Sequence, residues 1–499
     1  MTSGNVSEEP IEVDDARAWE RLVGGGLADA LLGNNRAILS RYDDSVVRAV
    51  DGRALPVRRA RGYAPQPLAL PAASDAARTP ASTPAPCILA CGPEQKATLA
   101  LTREQPGGGA ACFVSQHIGD LENASTLDAW HDARTRLEAL FDLHPAALAC
   151  DAHPSYLSSQ WAREQGRVHG LPLVEIQHHH AHIAAVMAEA AARGELDPQA
   201  SVIGIALDGT GAGATYDSTD NLQLDGTVWG GEVLIASLAT FRRAAHLRPW
   251  RLPGGAASVR DARRSAYSLL YSLGLLDHPG AAQLMGTLSP EERAVTATMV
   301  ERGLNSPLTS SMGRLLDAIA AILGICTHAT YEGEPAVLLE AAATRALGCG
   351  ADATGLIAPK TVAAQDPGCG PKQAPGPSPV RANAAVAADA SSLPIDPAPL
   401  LQHLLDGMTA GRAPDELALA AHLGCAQLMA DAAINAARAA QLSTVALSGG
   451  VFMNRILLRA ITERLQSAGL TVLTPQALPV NDGCIAYGQA AVARCRMSR

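Results

Sequence analysis

The segment 177–182, which reads Gln-His-His-His-Ala-His, is the feature that most constrains the fold of this chain. The stretch before it, residues 171–176, is typical of a β-strand, and the alanine-rich stretch after it, residues 183–193, is typical of an α-helix. His178 and His182 are four residues apart, so both imidazoles lie on one face of the first helical turn. We therefore expect an α/β protein with this pair where a strand passes into a helix, the edge at which such folds bind ligands.

Two carboxylates in similar surroundings favour a metal site over an ordinary cluster of surface or core histidines. Asp208 follows a predicted strand at 201–207 and has glycines around it, which is equally typical of a tight turn. Asp482 comes just before a predicted helix, where aspartate is also a common N-cap. Two histidines with two aspartates would suit Zn²⁺ or Fe.

Glycines at two further helix starts indicate a nucleotide site. Gly449 and Gly450 lie between a predicted strand and a predicted helix, and Asn454 begins that helix. Glycines there let the backbone approach a ribose, base or phosphate, and the helix N-terminus favours anions. Gly313 begins another helix, and Arg314 next to it is a candidate contact. Ordinary turns and helix starts remain the alternatives for both places.

Composition excludes several classes of function. The net charge is −10 and there is no run of Lys and Arg, which argues against a nucleic-acid partner. We see no apolar stretch of about 18 residues, so we expect no membrane span. The polar, acidic N-terminus does not read as a signal peptide. The ten cysteines show no CxxC spacing, which favours reduced thiols and a cytoplasmic location.

The chain divides into three predicted parts. Residues 1–69 have few large apolar side chains and make a marginal core, although a helix is expected over 14–32. Residues 70–86 are rich in Ala, Pro, Ser and Thr and are expected to be a linker. Residues 87–499 show a repeated strand pattern that predicts two α/β lobes, interrupted by an Ala/Pro/Gly-rich segment at about 349–398 that we expect to be disordered.

Nine motifs are spread along the chain: Ser115-Gln-His-Ile-Gly-Asp-Leu-Glu-Asn123, Asp151-Ala-His-Pro154, Gln177-His-His-His-Ala-His182, Ala206-Leu-Asp-Gly-Thr-Gly211, Trp229-Gly-Gly-Glu232, Arg251-Leu-Pro-Gly-Gly255, Ser310-Ser-Met-Gly-Arg314, Gly449-Gly-Val-Phe-Met-Asn454 and Asn481-Asp-Gly483. Together they resemble those of the hydrogenase maturation carbamoyltransferase family, HypF, over nearly the whole chain. The resemblance implies a two-lobed actin/hexokinase-like transferase module (the ASKHA fold). It also implies that the metal ligands are His178, His182, Asp208 and Asp482.

The N-terminal part resembles the end of the family's YrdC-like domain, an α/β domain that makes carbamoyl-adenylate. Residues 2–7 resemble its nucleotide-contacting TSxNxS motif, which makes Thr2, Ser3 and Asn5 candidate nucleotide contacts. Against the family pattern, we expect the chain to start inside this domain, without the acylphosphatase domain and the zinc-finger-like motifs that normally precede it. The Ala/Pro-rich segments are further departures from the family.

The resemblance implies an enzyme that transfers a carbamoyl group from carbamoyl-adenylate to the C-terminal cysteine of a HypE-type partner. The group comes ultimately from carbamoyl phosphate, with ATP as the source of the adenylate, and becomes a cyanide ligand of [NiFe] hydrogenase. One alternative is an O-carbamoyltransferase acting on a small metabolite, and another is an inactive fragment or scaffold. A tRNA-modifying role fits less well, because that family reads HxEGH where this chain has the sequence HHHAH at 178–182.

Overall fold

The N-terminal part of the chain contains little regular structure. The structure, a computed structural model, describes residues 4–7, 9–50, 52–72, 86–217, 221–349 and 392–498. The N-terminal part has a short helix α1 (Asp15–Ala18) continued by a π-helical turn (Trp19–Val23), and a hairpin of strands β1 (Val46–Val50) and β2 (Arg53–Arg58). The helix predicted over 14–32 is therefore too long, because the three glycines at 24–26 end it.

A six-stranded sheet follows. Its strands are β3 (Leu68–Leu70), β4 (Ile88–Ala90), β5 (Ala100–Glu104), β6 (Ala110–Val114), β7 (Ala147–Asp151) and β8 (Leu173–Ile176), in the spatial order β3–β6–β5–β4–β7–β8. Strands β4, β7 and β8 are parallel, whereas β3, β6, β5 and β4 pair antiparallel. Alternate side chains face opposite sides of the sheet. One side packs on helices α2 (Ala124–Phe141) and α3 (Leu157–His169) around the buried Trp130.

Strand β3 bears on the domain boundaries predicted at 69 and 86. It pairs antiparallel with β6, and its last residue, Leu70, is buried in the sheet although the predicted linker begins there. Residues 73–85, most of the predicted linker, lie outside the described residues. The division into 1–69, 70–86 and 87–499 stays a prediction.

The second sheet has eight strands. They are β9 (Val202–Tyr216), β10 (Leu222–Ala236), β11 (Phe241–Leu247), β12 (Trp250–Arg251), β13 (Leu308–Thr309), β14 (Leu393–Ile395), β15 (Thr444–Ser448) and β16 (Thr471–Leu473). The main path is β12–β13–β10–β9–β15–β16, with β11 and β14 attached to β10. Strands β9 and β10 form a long antiparallel pair, whereas β9, β15 and β16 are parallel.

Two helices lie between the sheets. Helix α14 (Ile485–Met497) packs on the six-stranded sheet, helix α4 (His178–Ala192) packs on the eight-stranded sheet, and the two helices pack against each other. The far side of the eight-stranded sheet is covered by further helices. These are α5 (Ala256–Arg260), α6 (Ala262–Leu273), α7 (Ala282–Gly286), α8 (Pro290–Arg302), α9 (Met312–Ile322), α10 (Glu334–Gly348), α11 (Ala398–Thr409), α12 (Pro414–Ala440) and α13 (Arg455–Ser467). The predicted α/β class is confirmed.

The end of the segment expected to be disordered is regular structure. Residues 350–391 lie outside the described residues, but Leu393–Ile395 form strand β14, parallel to β11, and helix α11 begins at Ala398. The prediction for 349–398 was therefore wrong for its last residues. Composition concealed the strand because Pro394 occupies an edge strand, where a missing backbone N–H is tolerated.

Helix α12 is long and apolar enough to cross a membrane by length and composition alone. In the fold, 78% of its most apolar window is buried, against the eight-stranded sheet and neighbouring helices. It is therefore a core helix of this protein.

The contact between α4 and α14 requires a glycine, which generates a prediction. A Cβ atom on Gly488 would lie 2.0 Å from the carbonyl oxygen of Ala181 in α4. We expect Gly488→Ala to lower the free energy of unfolding by about 1–3 kcal/mol, because two packed backbones must separate. The measurement is chemical denaturation. Gly348→Ala is the matched control, since its Cβ would meet nothing within 4 Å, and we expect a change below about 1 kcal/mol. Equal stabilities of the two variants would contradict this reading of the contact.

Candidate metal centre

The histidine pair lies in the first turn of helix α4. Gln177 is the N-cap, and its side-chain oxygen accepts a hydrogen bond from the backbone N–H of His180. His178 and His182 are both fully buried, because the turn lies between the two sheets. Their Nε2 atoms point toward the same two carboxylates, Asp208 and Asp482.

Asp208 does not follow a strand, as predicted, but lies within one. Strand β9 continues to Tyr216 because β10 pairs with it along most of its length. The pairing is irregular at this point: Leu207 is opposite Gly231 and Gly211 is opposite Trp229. The additional residues form a bulge, which turns the Asp208 side chain toward the histidines.

Asp482 does not act as an N-cap, although that is the ordinary role of an aspartate just before a helix. It is the first residue of a short 3-10 turn (Asp482–Cys484) that leads into α14, and the side chain of Asn481 caps this turn by accepting from the N–H of Gly483. The Asp482 carboxylate is therefore left facing the histidines, with Oδ1 3.5 Å from His182 Nε2 and 3.8 Å from His178 Nε2.

The four side chains have the geometry of a cation site. One ligand atom from each of His178, His182, Asp208 and Asp482 lies within 4.8 Å of all the others. Asp208 Oδ2 is 3.3 Å from His178 Nε2 and 3.1 Å from His182 Nε2. A tetrahedral ion with bonds of about 2.0 Å would place its ligand atoms about 3.3 Å apart. The donor set and the spacing therefore fit a small divalent cation.

The other ring nitrogen of each histidine has its own partner. His178 Nδ1 donates to Asp151 Oδ2 at 2.7 Å, and the second Asp151 oxygen accepts from the N–H of His153. His182 Nδ1 lies 3.0 Å from Ser448 Oγ, whose hydroxyl faces the carbonyl of Val480. These contacts leave both Nε2 atoms free to act as ligands. Sequence reasoning gave Asp151 and Ser448 no role here, because they are distant in the chain from the histidines they contact.

The electrostatics of the cluster favour added positive charge. Burial and the nearby Asp208 carboxylate act to raise the pKa of Asp482, but the two histidines outweigh them and hold it at about 2. Burial acts to lower the pKa of His178, yet the Asp151 carboxylate and the other acids raise it well above its ordinary value. Three buried carboxylates thus face two imidazoles, and a bound cation would supply the charge that protons otherwise provide.

His179 and His180 lie outside the four-residue cluster. His179 Nδ1 is 3.0 Å from the amide of Gln177, and its ring stacks on Trp229. Burial lowers the pKa of His179 to about 3, so this imidazole is neutral. His180 Nε2 contacts the carbonyl of Ser237. Both side chains fix the start of α4.

The candidate nucleotide glycines adjoin the metal cluster. A Cβ atom on Gly450 would lie 3.1 Å from Asp208 Oδ1, and one on Gly313 would lie 2.9 Å from the Cα of Gly209. Both glycines therefore lie against the bulge of β9. Asn454 acts differently, since its side-chain oxygen caps α13 and its amide lies 2.8 Å from His422 Nε2.

Two residues that follow Gly313 in helix α9 form a buried ion pair. Arg314 Nη2 is 3.1 Å from Asp317 Oδ2, and both side chains are almost fully buried. Within the described part of the chain, Arg314 Nε and Nη1 and Asp317 Oδ1 have no hydrogen-bond partner. Such atoms are costly unless a ligand satisfies them. Arg314 was a candidate contact, whereas Asp317 was missed, although a charged pair in an otherwise apolar helix could have indicated it.

The three N-terminal candidates remain without support from the structure. Thr2 and Ser3 lie outside the described residues. The side-chain amide of Asn5 donates to the carbonyls of Val6 and Glu9 at 3.0 Å, within its own loop.

Comparison with known proteins identifies the family. The model of the "Carbamoyltransferase, Kae1-like Domain, second subdomain" of HypF matches residues 204–489, and that of the "HypF Kae1-like domain" matches residues 83–189. Carbamoyltransferase HypF2 of Cupriavidus necator is 38% identical over 99% of this chain, which spans 56% of that protein. A carbamoyltransferase HypF homolog of the same organism is 34% identical over 81% of this chain and 91% of its own length.

Comparison with solved structures identifies the same family. The crystal structure of full-length HypF in its phosphate- and nucleotide-bound form matches with a TM-score of 0.79 at 32% identity, over 99% of this chain and 66% of that one. This chain thus spans little more than half the length of most of its curated relatives. The matches cover both sheets and the four-residue cluster, and the chain therefore belongs to the HypF carbamoyltransferase family.

Proposed function

We propose that this chain transfers a carbamoyl group from carbamoyl-adenylate to the C-terminal cysteine of a HypE-type partner, in making the cyanide ligands of [NiFe] hydrogenase. The observation that carries the proposal is the cluster of His178, His182, Asp208 and Asp482 beside Gly450, in a chain of the HypF family. An O-carbamoyltransferase or an inactive scaffold would be revealed by the acceptor assays below.

The four clustered side chains would hold Zn²⁺ or Fe as the resident cation. A cation there would act as a Lewis acid on an oxygen of the carbamoyl-adenylate. Asp151 and Ser448 keep the two imidazoles in the orientation and tautomer that ligation requires. Both histidine rings are fully buried, whereas Asp208 and Asp482 are each 7% exposed.

The adenylate would lie against the backbone of Gly449 and Gly450, with Gly313 on the other side. The carbamoyl carbon is attacked by the thiolate of the acceptor, so that a C–S bond forms while the C–O bond to the phosphate breaks and AMP leaves. The chain supplies orientation and charge stabilisation in this step and no covalent nucleophile. Arg314 and Asp317 offer unsatisfied donors and acceptors for the polar groups of the nucleotide. Asn454 contributes by fixing the turn.

The reaction would take place in the cytoplasm and needs no nucleic acid or membrane. The ten cysteines show no CxxC spacing, which supports a reducing compartment. The acidic net charge of −10 gives polyanions no favourable field.

The metal assignment generates a prediction. We expect His178→Ala to lower metal affinity by more than about 100-fold, because a ligand is lost as well as the carboxylate contact that orients it. Metal analysis of purified protein measures this and also distinguishes Zn from Fe. His144→Ala is the control, since the side chain of His144 is 90% exposed. Full metal content in both His178→Ala and Asp482→Ala would refute the assignment.

The nucleotide assignment generates a second prediction. We expect Gly450→Val to weaken AMP binding by about tenfold or more, because a branched side chain fills the approach to the backbone. Calorimetric titration with AMP measures it. Metal content must be determined in parallel, since the new Cβ would also lie 3.1 Å from Asp208 Oδ1. Unchanged AMP affinity in the folded variant would exclude this placement of the nucleotide.

A third prediction separates the two steps of the family's reaction. We expect the 499-residue chain to carbamoylate a cysteine-ended acceptor from synthetic carbamoyl-adenylate, but not from carbamoyl phosphate and ATP. The first step needs cationic partners for about four phosphate charges, and Thr2, Ser3 and Asn5 provide none. Mass spectrometry of the acceptor reports both reactions.

Carbamoylation from carbamoyl phosphate and ATP, with no added YrdC-type protein, would contradict the prediction. Transfer to small hydroxylated compounds alone would favour an O-carbamoyltransferase, and no transfer at all an inactive scaffold.

A further inference from the structure

Lys96 is a charged residue to which the function above assigns no role. It lies in the loop between β4 and β5, and its ammonium is 3.3 Å from the carboxylate of Glu332, which belongs to a loop before α10. The pair therefore joins the six-stranded sheet to the helices that cover the eight-stranded sheet. The side chain of Lys96 is only 31% exposed.

The backbone of Lys96 is held in an unusual conformation. Its φ angle is 49°, in the left-handed region that residues other than glycine rarely adopt. The N–H of Lys96 donates to Asp120 Oδ1 at 2.6 Å, and the next residue, Ala97, forms a β-bridge with Gly119. Strained conformations of this kind persist where surrounding contacts enforce them, and they are concentrated at functional sites.

The ammonium of Lys96 lies in the field of the metal cluster. Burial acts to lower its pKa, but the carboxylates of Glu332, Asp482, Asp120 and Asp208, in that order, raise it well above its ordinary value. The partner carboxylate is close to the same place, because a Cβ on Gly209 would lie 3.9 Å from Glu332 Oε1. Lys96 is thus a permanent cation next to the bulge that carries Asp208.

Lys96 also lines a cavity of about 250 Å³ next to the loop that carries Asp482. Asn481 and Gly483, on either side of Asp482, form part of its wall, and Arg58 from strand β2 forms another part. None of the described residues that line it is acidic. An anionic substrate in this cavity would therefore meet cationic side chains beside the neighbours of Asp482.

We propose that Lys96 contacts the phosphate of carbamoyl-adenylate and stabilises it as AMP leaves, and that Glu332 holds the Lys96 ammonium when no substrate is bound. This inference rests on the proposed function. When the acceptor thiolate forms the C–S bond, the C–O bond breaks and its electron pair passes to the phosphate oxygen. The phosphate charge rises from −1 to −2 in this step, and a nearby ammonium offsets the added charge.

Substitution of Lys96 is expected to weaken AMP binding, whereas substitution of Glu332 is not. Lys96→Met removes the contact and should weaken AMP binding by at least about tenfold, with adenosine binding unchanged. Glu332→Gln removes the competitor for the ammonium and should leave AMP affinity at or above that of the wild type. A purely structural ion pair predicts the same direction for both variants, since each breaks it. Calorimetric titration of the metal-analysed proteins with AMP and with adenosine provides the comparison.

Arg58→Met is the matched control for long-range electrostatics. It removes a cation from the wall of the same cavity, where Arg58 is paired with Asp43 at 2.8 Å. A loss of AMP affinity as large as that of Lys96→Met would show that the charges act only through their field and would overturn the contact. Wild-type AMP affinity in Lys96→Met, or weakened binding in Glu332→Gln, would overturn it as well.

Transfer assays separate this inference from the function on which it rests. With synthetic carbamoyl-adenylate and a cysteine-ended acceptor, Lys96→Met should lower kcat, and Lys96→Arg should restore part of it because the charge returns. If the wild type transfers the group and Lys96→Met matches its kcat, the role of Lys96 is wrong and the proposed function stands. If the wild type transfers nothing while AMP binding still responds as described, the proposed function fails and the phosphate contact stands.

Discussion

The close contact between helices α4 and α14 is the constraint on which the site depends. Helix α4 carries both histidines in its first turn, and the turn before α14 carries Asp482. The two helices touch through Gly488, which has no side chain to separate them from the backbone at Ala181. A larger separation would move the carboxylate away from the imidazoles, so the packing between the sheets sets the ligand distances.

This arrangement places several charged side chains in the protein interior, where unpaired charge is unfavourable. The carboxylates of Asp151, Asp208 and Asp482 face two imidazoles in a largely buried region. Buried carboxylates need partners that offset the loss of hydration. A divalent cation would meet that need. The cationic side chains in the wall of the adjoining cavity would offset the charge of an anionic substrate in the same way. The electrostatics of the cluster and of the cavity therefore form one system.

Local patterns in the chain predicted much of the framework. The first turn of α4, with its two histidines, follows from a spacing of four residues after a strand, and α13 and α14 begin close to the helix starts predicted at Asn454 and after Asp482. Errors occurred where a single local feature had more than one structural outcome. The glycines after Asp208 read as a turn but belong to a paired strand, and an edge strand at 393–395 lay hidden in Ala/Pro-rich sequence.

The sequence by itself determined the α/β class, the face on which His178 and His182 lie, and the types of residue that could bind a cation. Each of these depends on neighbours a few positions away. Only the tertiary structure decided that the Asp208 bulge turns toward the histidines, that Asp151 orients His178, and that Lys96 pairs with Glu332. These contacts join positions that are 26, 27 and 236 residues apart, and no local preference specifies them. They exist because two sheets and the helices between them can bury their apolar faces in only one register.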